Sequence, residues 1–196
     1  MKVLSCTPLK KKRFKYLLVL ENSEYEIHAE ALLVFPVNKD EISEIELLKL
    51  LQEDEFIRAR IAAACFKAGH ARSRKEIAGR LVKKNYPQKV IQRVLEYFSA
   101  AGDIDDEACA RKRILRMMKS GKSLMEIRRH LSGMGLAGDQ LGKVMKEIPE
   151  EYEIKACSRL AEKKNKRKND GKLLARFLRS RGFSSISIKE ALRNKF

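Results

Sequence analysis

Ser73-Arg74-Lys75-Glu76-Ile77-Ala78-Gly79-Arg80-Leu81-Val82-Lys83-Lys84-Asn85-Tyr86-Pro87 reads as a helix, its stop and the opening of a second helix. Ser73 and Glu76 have the spacing of a capping box, in which each side chain satisfies an amide that the first turn leaves free. Ile77 and Leu81 lie one turn apart on a single face. Asn85-Tyr86 ends the helix, and Pro87 suits the first turn of the next. That helix carries Val90, Ile91, Val94, Leu95 and Phe98 and stops near Gly102. Upstream, Phe56, Ile57, Ile61, Ala64, Cys65 and Ala68 trace another helical face that ends at Gly69.

The three-helix pattern recurs. Asp103-Ile-Asp105-Asp106 opens a helix running to Ser120-Gly121, and Ser123-Leu-Met-Glu126 is a second capping box, 50 residues after the first. Ile77, Leu81, Tyr86, Ile91 and Leu95 return at that offset as Ile127, Leu131, Leu136, Leu141 and Met145. A third copy, 47 residues on, gives Leu174, Leu178, Phe183, Ile188 and Leu192, with Asp170 in place of the serine cap. The N-terminal part differs. Phe14, Tyr16, Leu18 and Leu20 alternate, Glu21 to Glu24 form a polar turn, and Tyr25, Ile27 and Ala29 resume the alternation, which predicts a β-hairpin. After a break at Pro36 to Asp40, Ser43 and Glu46 cap a short helix with Ile42, Ile45, Leu48 and Leu51 at helical spacing. The expected fold is mainly α: a hairpin and short helix over 1–53, then tandem three-helix repeats over 54–102, 103–148 and 149–196, stacked into an elongated body.

Composition narrows the function. The chain has 196 residues, 44% of them hydrophobic, enough for a core, and no apolar run approaches a membrane span. Residues 1–15 lack the apolar stretch of a secretory signal. The four scattered cysteines form no Cys-x-x-Cys pair, so they read as reduced thiols of a cytoplasmic protein, with Cys65, Cys109 and Cys157 in helix cores. The net charge is +17, and all the excess lies beyond residue 54: residues 1–54 carry −2 and residues 55–196 carry +19. Such a field attracts polyanions, first among them DNA and RNA.

Several strings imitate catalytic motifs without their context. Gly121-Lys-Ser resembles the end of a phosphate-binding loop, but Arg116 stands where the loop needs glycine and no strand precedes it. Gly133-Met-Gly135-Leu-Ala-Gly138 joins two helices rather than a strand and a helix, so it is a helix cap and turn. His28, His70 and His130 are far apart and lack acidic or cysteine partners at ligand spacing. Lys10-Lys11-Lys12-Arg13 reads as a solvated strand start. The sequence assembles no nucleophile, base and oxyanion site, and it predicts no catalytic residue, no cofactor and no metal.

The basic side chains recur with the helices. The first module offers Arg72, Arg74, Lys75, Arg80, Lys83 and Lys84. In the second, Lys112, Arg116 and Lys119 share one helical face, Arg111 and Arg113 flank it, Lys122 follows at the turn, and Arg128 and Arg129 lie on the next helix. The third offers Lys172, Arg176 and Arg179, with Lys163, Lys164, Lys166, Arg167, Lys168 and Arg181 around them. Repeated clusters suit a long anionic track, and arginine suits phosphate or carboxylate forks.

Three of these stretches resemble a known family. Ser73-Arg-Lys-Glu-Ile-Ala-Gly-Arg-Leu-Val-Lys-Lys-Asn-Tyr86, Gly102-Asp-Ile-Asp-Asp-Glu-Ala-Cys-Ala110 and Gly121-Lys-Ser-Leu-Met-Glu-Ile-Arg-Arg-His-Leu131 are similar to the RecX family of bacterial regulatory proteins. The likeness spans roughly residues 54–183. The chain departs from the family pattern at Asn85 for glycine, Asp103 for an aromatic, Cys109 for phenylalanine, Ser123-Leu124 for Gly-Pro, and His130 for glutamate. The resemblance implies three tandem three-helix repeats. It also implies a non-catalytic regulator that lies along the RecA–DNA filament and suppresses its ATPase, strand exchange and co-protease activity, with a role in recombination, repair and the SOS response. The implied partners are the RecA filament and DNA, single- or double-stranded and of any sequence; the chain is expected to be a monomer with no membrane partner. The rival reading is a helix-turn-helix transcription factor that prefers one sequence, against which three similar basic modules argue. An RNA-binding repeat protein is a third option.

Overall fold

Leu18, Leu20 and Ile27 fall on one side of two paired strands and are buried, as their every-second-residue spacing requires. The computed structural model describes residues 1–10, 12–37, 40–164 and 171–193. Within it β2 (Lys15–Leu20) and β3 (Ser23–His28) are antiparallel, and β1 (Val3–Pro8) pairs with the free side of β2 to give the order β1-β2-β3. The expected hairpin is thus two strands of a three-stranded sheet. Its alternation stops short at both ends. Phe14 sits at φ +61° and is exposed rather than part of the strand. Ala29 opens α1 (Ala29–Val34), because the His28 imidazole accepts from the Glu30 amide and caps a helix there.

The chain divides into two compact units, Met1–His70 with Ile77–Asp103, and Ala71–Glu76 with Ile104–Phe196. In the first, the Ser43–Glu46 capping box is complete and starts α2 (Glu44–Lys67). The short helix and the helix expected after residue 53 are one continuous element, since no glycine or proline interrupts it. Asp54, at the expected boundary, is buried and accepts from the His28 amide (2.7 Å) and from Arg58 Nε (2.7 Å), tying mid-helix to the sheet. This turns the helix: Leu47, Leu50, Phe56, Ile57, Ala59 and Ala63 are buried, whereas Ile45, Leu48, Ile61, Ala64, Cys65 and Ala68 are exposed. Cys65 is therefore not a core thiol, unlike the buried Cys109 and Cys157. Ile77 and Leu81 of α3 (Arg74–Val82) and Ile91, Val94, Leu95 and Phe98 of α4 (Gln88–Ala100) are buried as predicted. Pro87 is the N-cap of α4.

The second unit holds two helix triplets, α5 (Asp106–Lys119), α6 (Leu124–Gly133) and α7 (Gly138–Lys146), then α8 (Tyr152–Lys164), α9 (Gly171–Ser180) and α10 (Ser185–Arg193). Each has its own apolar core. Cys109, Ala110, Ile114, Ile127, Leu131, Leu136, Leu141 and Val144 fill one. Ala156, Cys157, Ala161, Leu174, Leu178, Phe183, Ile188 and Ala191, each 47 residues on, fill the other. The turn after the middle helix is equally regular. Asn85, Gly135 and Gly182 all have positive φ (61°, 105° and 83°), and the next amide donates to the carbonyls of Leu81, Leu131 and Leu178 (3.2, 3.2 and 3.3 Å). Asn85 adopts the left-handed conformation for which the family has glycine, and asparagine is one of the few residues that tolerates it.

One junction appears twice in this unit. Ser73 Oγ donates to the Met134 carbonyl and Ser123 Oγ to the Arg181 carbonyl, both at 2.8 Å. The Arg74 amide donates to Asp106 (2.7 Å) and the Leu124 amide to Glu153 (3.0 Å). Ser73 also completes its capping box with Glu76. Ser123 completes only half of the expected one: it accepts from the Glu126 amide, but the Glu126 carboxylate turns to Lys122 at 2.6 Å. The Lys11, Lys166, Arg167, Lys168 and Asp170 readings lie outside the described residues.

Candidate functional site

Helix α5 shows opposite sides of different character. On one side Arg111 bonds Glu107 and Glu147, each at 3.0 Å, and Lys143 of α7 reaches Glu107 at 3.1 Å. Lys143, then Arg111, hold the Glu107 carboxyl below the usual range, and Glu147, then Glu107, raise the Arg111 guanidinium. These cations are spent on fastening α5 to α7. On the other side Lys112, Arg116 and Lys119 are exposed and have no ion pair among the described residues. A cation without a carboxylate partner keeps its full attraction for an incoming anion.

The remaining predicted residues divide by what they touch. Arg113 is half-buried on Glu76 (3.2 Å), Arg72 approaches the same carboxylate at 4.0 Å, and Lys122 is paired with Glu126. Arg74 uses its amide on Asp106, and the Lys75 stem lies against Gly135. These five residues stand in the junctions and ion pairs of the second unit. Arg80, Lys83 and Lys84 belong to the first unit, where Arg80 stacks over Phe66 at 5.7 Å and the two lysines are exposed after α3. Arg128 and Arg129 are exposed on α6, and Lys172, Arg176 and Arg179 on α9.

A second row was only partly legible in the sequence, which singled out Lys163 but not Arg159 or Lys155. Arg159 and Lys163 of α8 stand 47 residues after Lys112 and Arg116, in the register that relates the two cores, and both are exposed. With Lys155 they follow one face at four-residue spacing. Carrying the apolar offset over to the cations would have found Arg159. The row meets the end of α5 in a cleft of about 360 Å³ that includes Lys119, Lys155, Arg159 and Lys163. Tyr152 joins the two sides: its hydroxyl donates to the Lys122 carbonyl at 2.6 Å, and burial raises its pKa. Among the described residues no cluster of His, Cys, Asp and Glu could hold a metal, and no helix is long and apolar enough to cross a membrane.

Residues 68–98, which hold the Ser73 box, α3 and α4, match the family model described as RecX, first three-helix domain. The regulatory protein RecX of Clostridium perfringens (strain 13) is 29% identical over 75% of this chain and 73% of its own. That of Clostridium acetobutylicum is 23% identical over 95% and 92%. A crystal structure of regulatory protein RecX shares the fold with a TM-score of 0.74 at 19% identity, covering 96% of this chain and 97% of its own. The RecX crystal structure from Lactobacillus salivarius covers 72% of this chain at a TM-score of 0.63. The matched three-helix domain and the similarity to these relatives along most of the chain support the RecX family of regulatory proteins, and the solved structures share its fold.

Proposed function

We propose that the chain is a non-catalytic regulator of the RecA recombinase, seated on the RecA–DNA filament through the exposed cations of its second unit. In this reading it is a cytoplasmic monomer built of tandem three-helix modules, and it lowers the filament's ATPase, strand-exchange and co-protease activity. It thereby restrains recombination, repair and the SOS response. The observation that carries it is the row Lys112, Arg116 and Lys119, which has no ion pair among the described residues and is repeated in register by Arg159 and Lys163. A filament of protein and nucleic acid is a repeating polyanion, and cations at repeating intervals match it. The relatives' name, regulatory protein RecX, supports the same assignment.

The test titrates wild type and Arg116→Glu/Lys119→Glu against a preformed RecA–single-strand filament while ATP hydrolysis is followed. Both residues are exposed, so the variant should keep its circular dichroism and melt within about 0.5 kcal/mol per site of wild type. Inhibition should weaken at least tenfold. A folded variant that inhibits as well as wild type would move the contact to Arg128 and Arg129 or to the α9 cations.

A further inference from the structure

We infer that the cleft between the end of α5 and the face of α8 holds one nucleotide of a single-stranded nucleic acid, its phosphate on Arg159 and Lys163. The inference deepens the reading above, and rests on it in taking nucleic acid as the polyanion.

The lining of the cleft is a cationic rim over an apolar floor. Lys119, Lys155, Arg159 and Lys163 form the rim, Met118 and Leu160 line the floor, and no carboxylate is in the wall among the described residues. Lys155 has an ion pair with Glu151, but both partners are mostly exposed. Lys119, Arg159 and Lys163 have none among the described residues. Three cations gathered at one concavity repel one another and focus a positive field into it, so an anion there removes a cost as well as gaining an attraction.

Size and polarity select the ligand. A volume of about 360 Å³ is that of a small-ligand pocket, larger than a phosphate needs. Met118 and Leu160 would gain nothing from a bare anion. A nucleotide offers both parts, a phosphate for the rim and a flat base and sugar for the floor. A duplex offers phosphates alone, because its bases are stacked inside, whereas a single strand can turn a base outward. The ligand's direction follows from α5. That helix ends at the cleft with its negative dipole end, which disfavours a phosphate beside Ser120 and Gly121 and directs it to the α8 side. The base then lies towards Met118.

The experiment needs no RecA. Fluorescence anisotropy would follow a labelled eight-residue oligothymidylate and a duplex of equal length binding to the full chain, with thymidine monophosphate and inorganic phosphate as competitors. Wild type should prefer the single strand, and the nucleotide should compete at least tenfold better than phosphate. Arg159→Glu/Lys163→Glu should lower single-strand affinity at least tenfold. Its plot of log affinity against log salt should flatten by about 0.7, the loss of the one phosphate contact that the two cations share. The milder Arg159→Gln/Lys163→Gln gives the same slope change if the reversal disturbs folding, and Lys49→Glu/Lys89→Glu, also exposed, controls for net charge. Leu160→Ser should remove the preference for the strand and spare duplex binding. The inference is overturned if phosphate competes as well as the nucleotide, if the α8 variants keep wild-type slope, or if single strand and duplex weaken alike. Strand binding in the cleft by a chain that leaves RecA hydrolysis unchanged would sink the functional reading alone.

Discussion

Gly182 sits at φ +83°, and a methyl group added there would lie 2.7 Å from Met125 Cε and 3.0 Å from Ser123 Oγ. Backbone strain and contact therefore act together, and the contact includes the serine that caps α6 and bonds Arg181. Gly182→Ala should cost about 1–3 kcal/mol in a denaturant melt, and a neutral result would mean that the junction yields freely. At the matching position in the first triplet, asparagine already occupies the left-handed region. Asn85→Ala should lose about 1–2 kcal/mol, because alanine lacks the local hydrogen bonding that lets asparagine stay there. Asn85→Gly should stay near neutral, since the strain relieved and the freedom added to the unfolded chain offset each other. The thiols give a separate test. Burial raises Cys157 to about 11 and also raises Cys109, whereas Cys65 is exposed on α2. A disulfide reagent at neutral pH should label Cys65 at once, and Cys109 and Cys157 only on unfolding. Cys157 holds its proton more tightly folded than unfolded. Its contribution to stability is thus full below pH 9, its ordinary value, and is lost as the pH rises towards 11.

Within elements, the apolar register carries most of the stability. Leu81, Leu131 and Leu178 are each fully buried at one position of the middle helix in the three triplets. Each, changed to alanine, should cost about 2–5 kcal/mol in thermal or denaturant unfolding. One neutral substitution would show that its triplet is assembled differently. These helices were legible because their stops are chemical, Ser73 and Ser123 as caps and Asn85, Gly135 and Gly182 as left-handed turns. The turn of α2 was not legible. Its sequence offers two overlapping apolar faces, and a long-range bond from the His28 amide to Asp54 marks the side that is buried. The strand β1 was hidden for a similar reason. It is an edge strand with little buried surface, so pairing with β2 defines it more than its own alternation does. At the candidate site, the α5 face could be read from spacing alone. The cleft could not, because Lys119 and Arg159 are forty residues apart and come together through long-range contacts such as the Tyr152 hydroxyl bond to the turn after α5 and the Glu153 bond to the Leu124 amide.

For the whole molecule the question is how much of the +19 on residues 55–196 an anion can feel. Many cations there face carboxylates of the same chain: Arg58, Lys67, Arg93, Arg111, Arg113 and Lys143 all do. Net charge therefore overstates the contact. Lys112, Arg116, Lys119, Arg159 and Lys163, which have no ion pair among the described residues, are a better measure. Five phosphates neutralised on a duplex give a slope of log affinity against log salt of about −4 to −5, and on a single strand about −3.5. Raising salt from about 50 to 200 mM should then weaken duplex binding some 10²–10³-fold. Random duplexes of equal length should bind alike, because contacts to phosphate oxygens carry no base sequence. Anisotropy titrations at four salt concentrations on two unrelated sequences measure both quantities together. A slope near zero would show that the five cations do not meet phosphates. A preference for one duplex of ten-fold or more would restore the helix-turn-helix reading, since base-edge contacts discriminate and backbone contacts do not. A slope in the expected range with no sequence preference would leave selection between naked DNA and the filament to protein contacts, which the Arg116→Glu/Lys119→Glu titration against RecA measures directly.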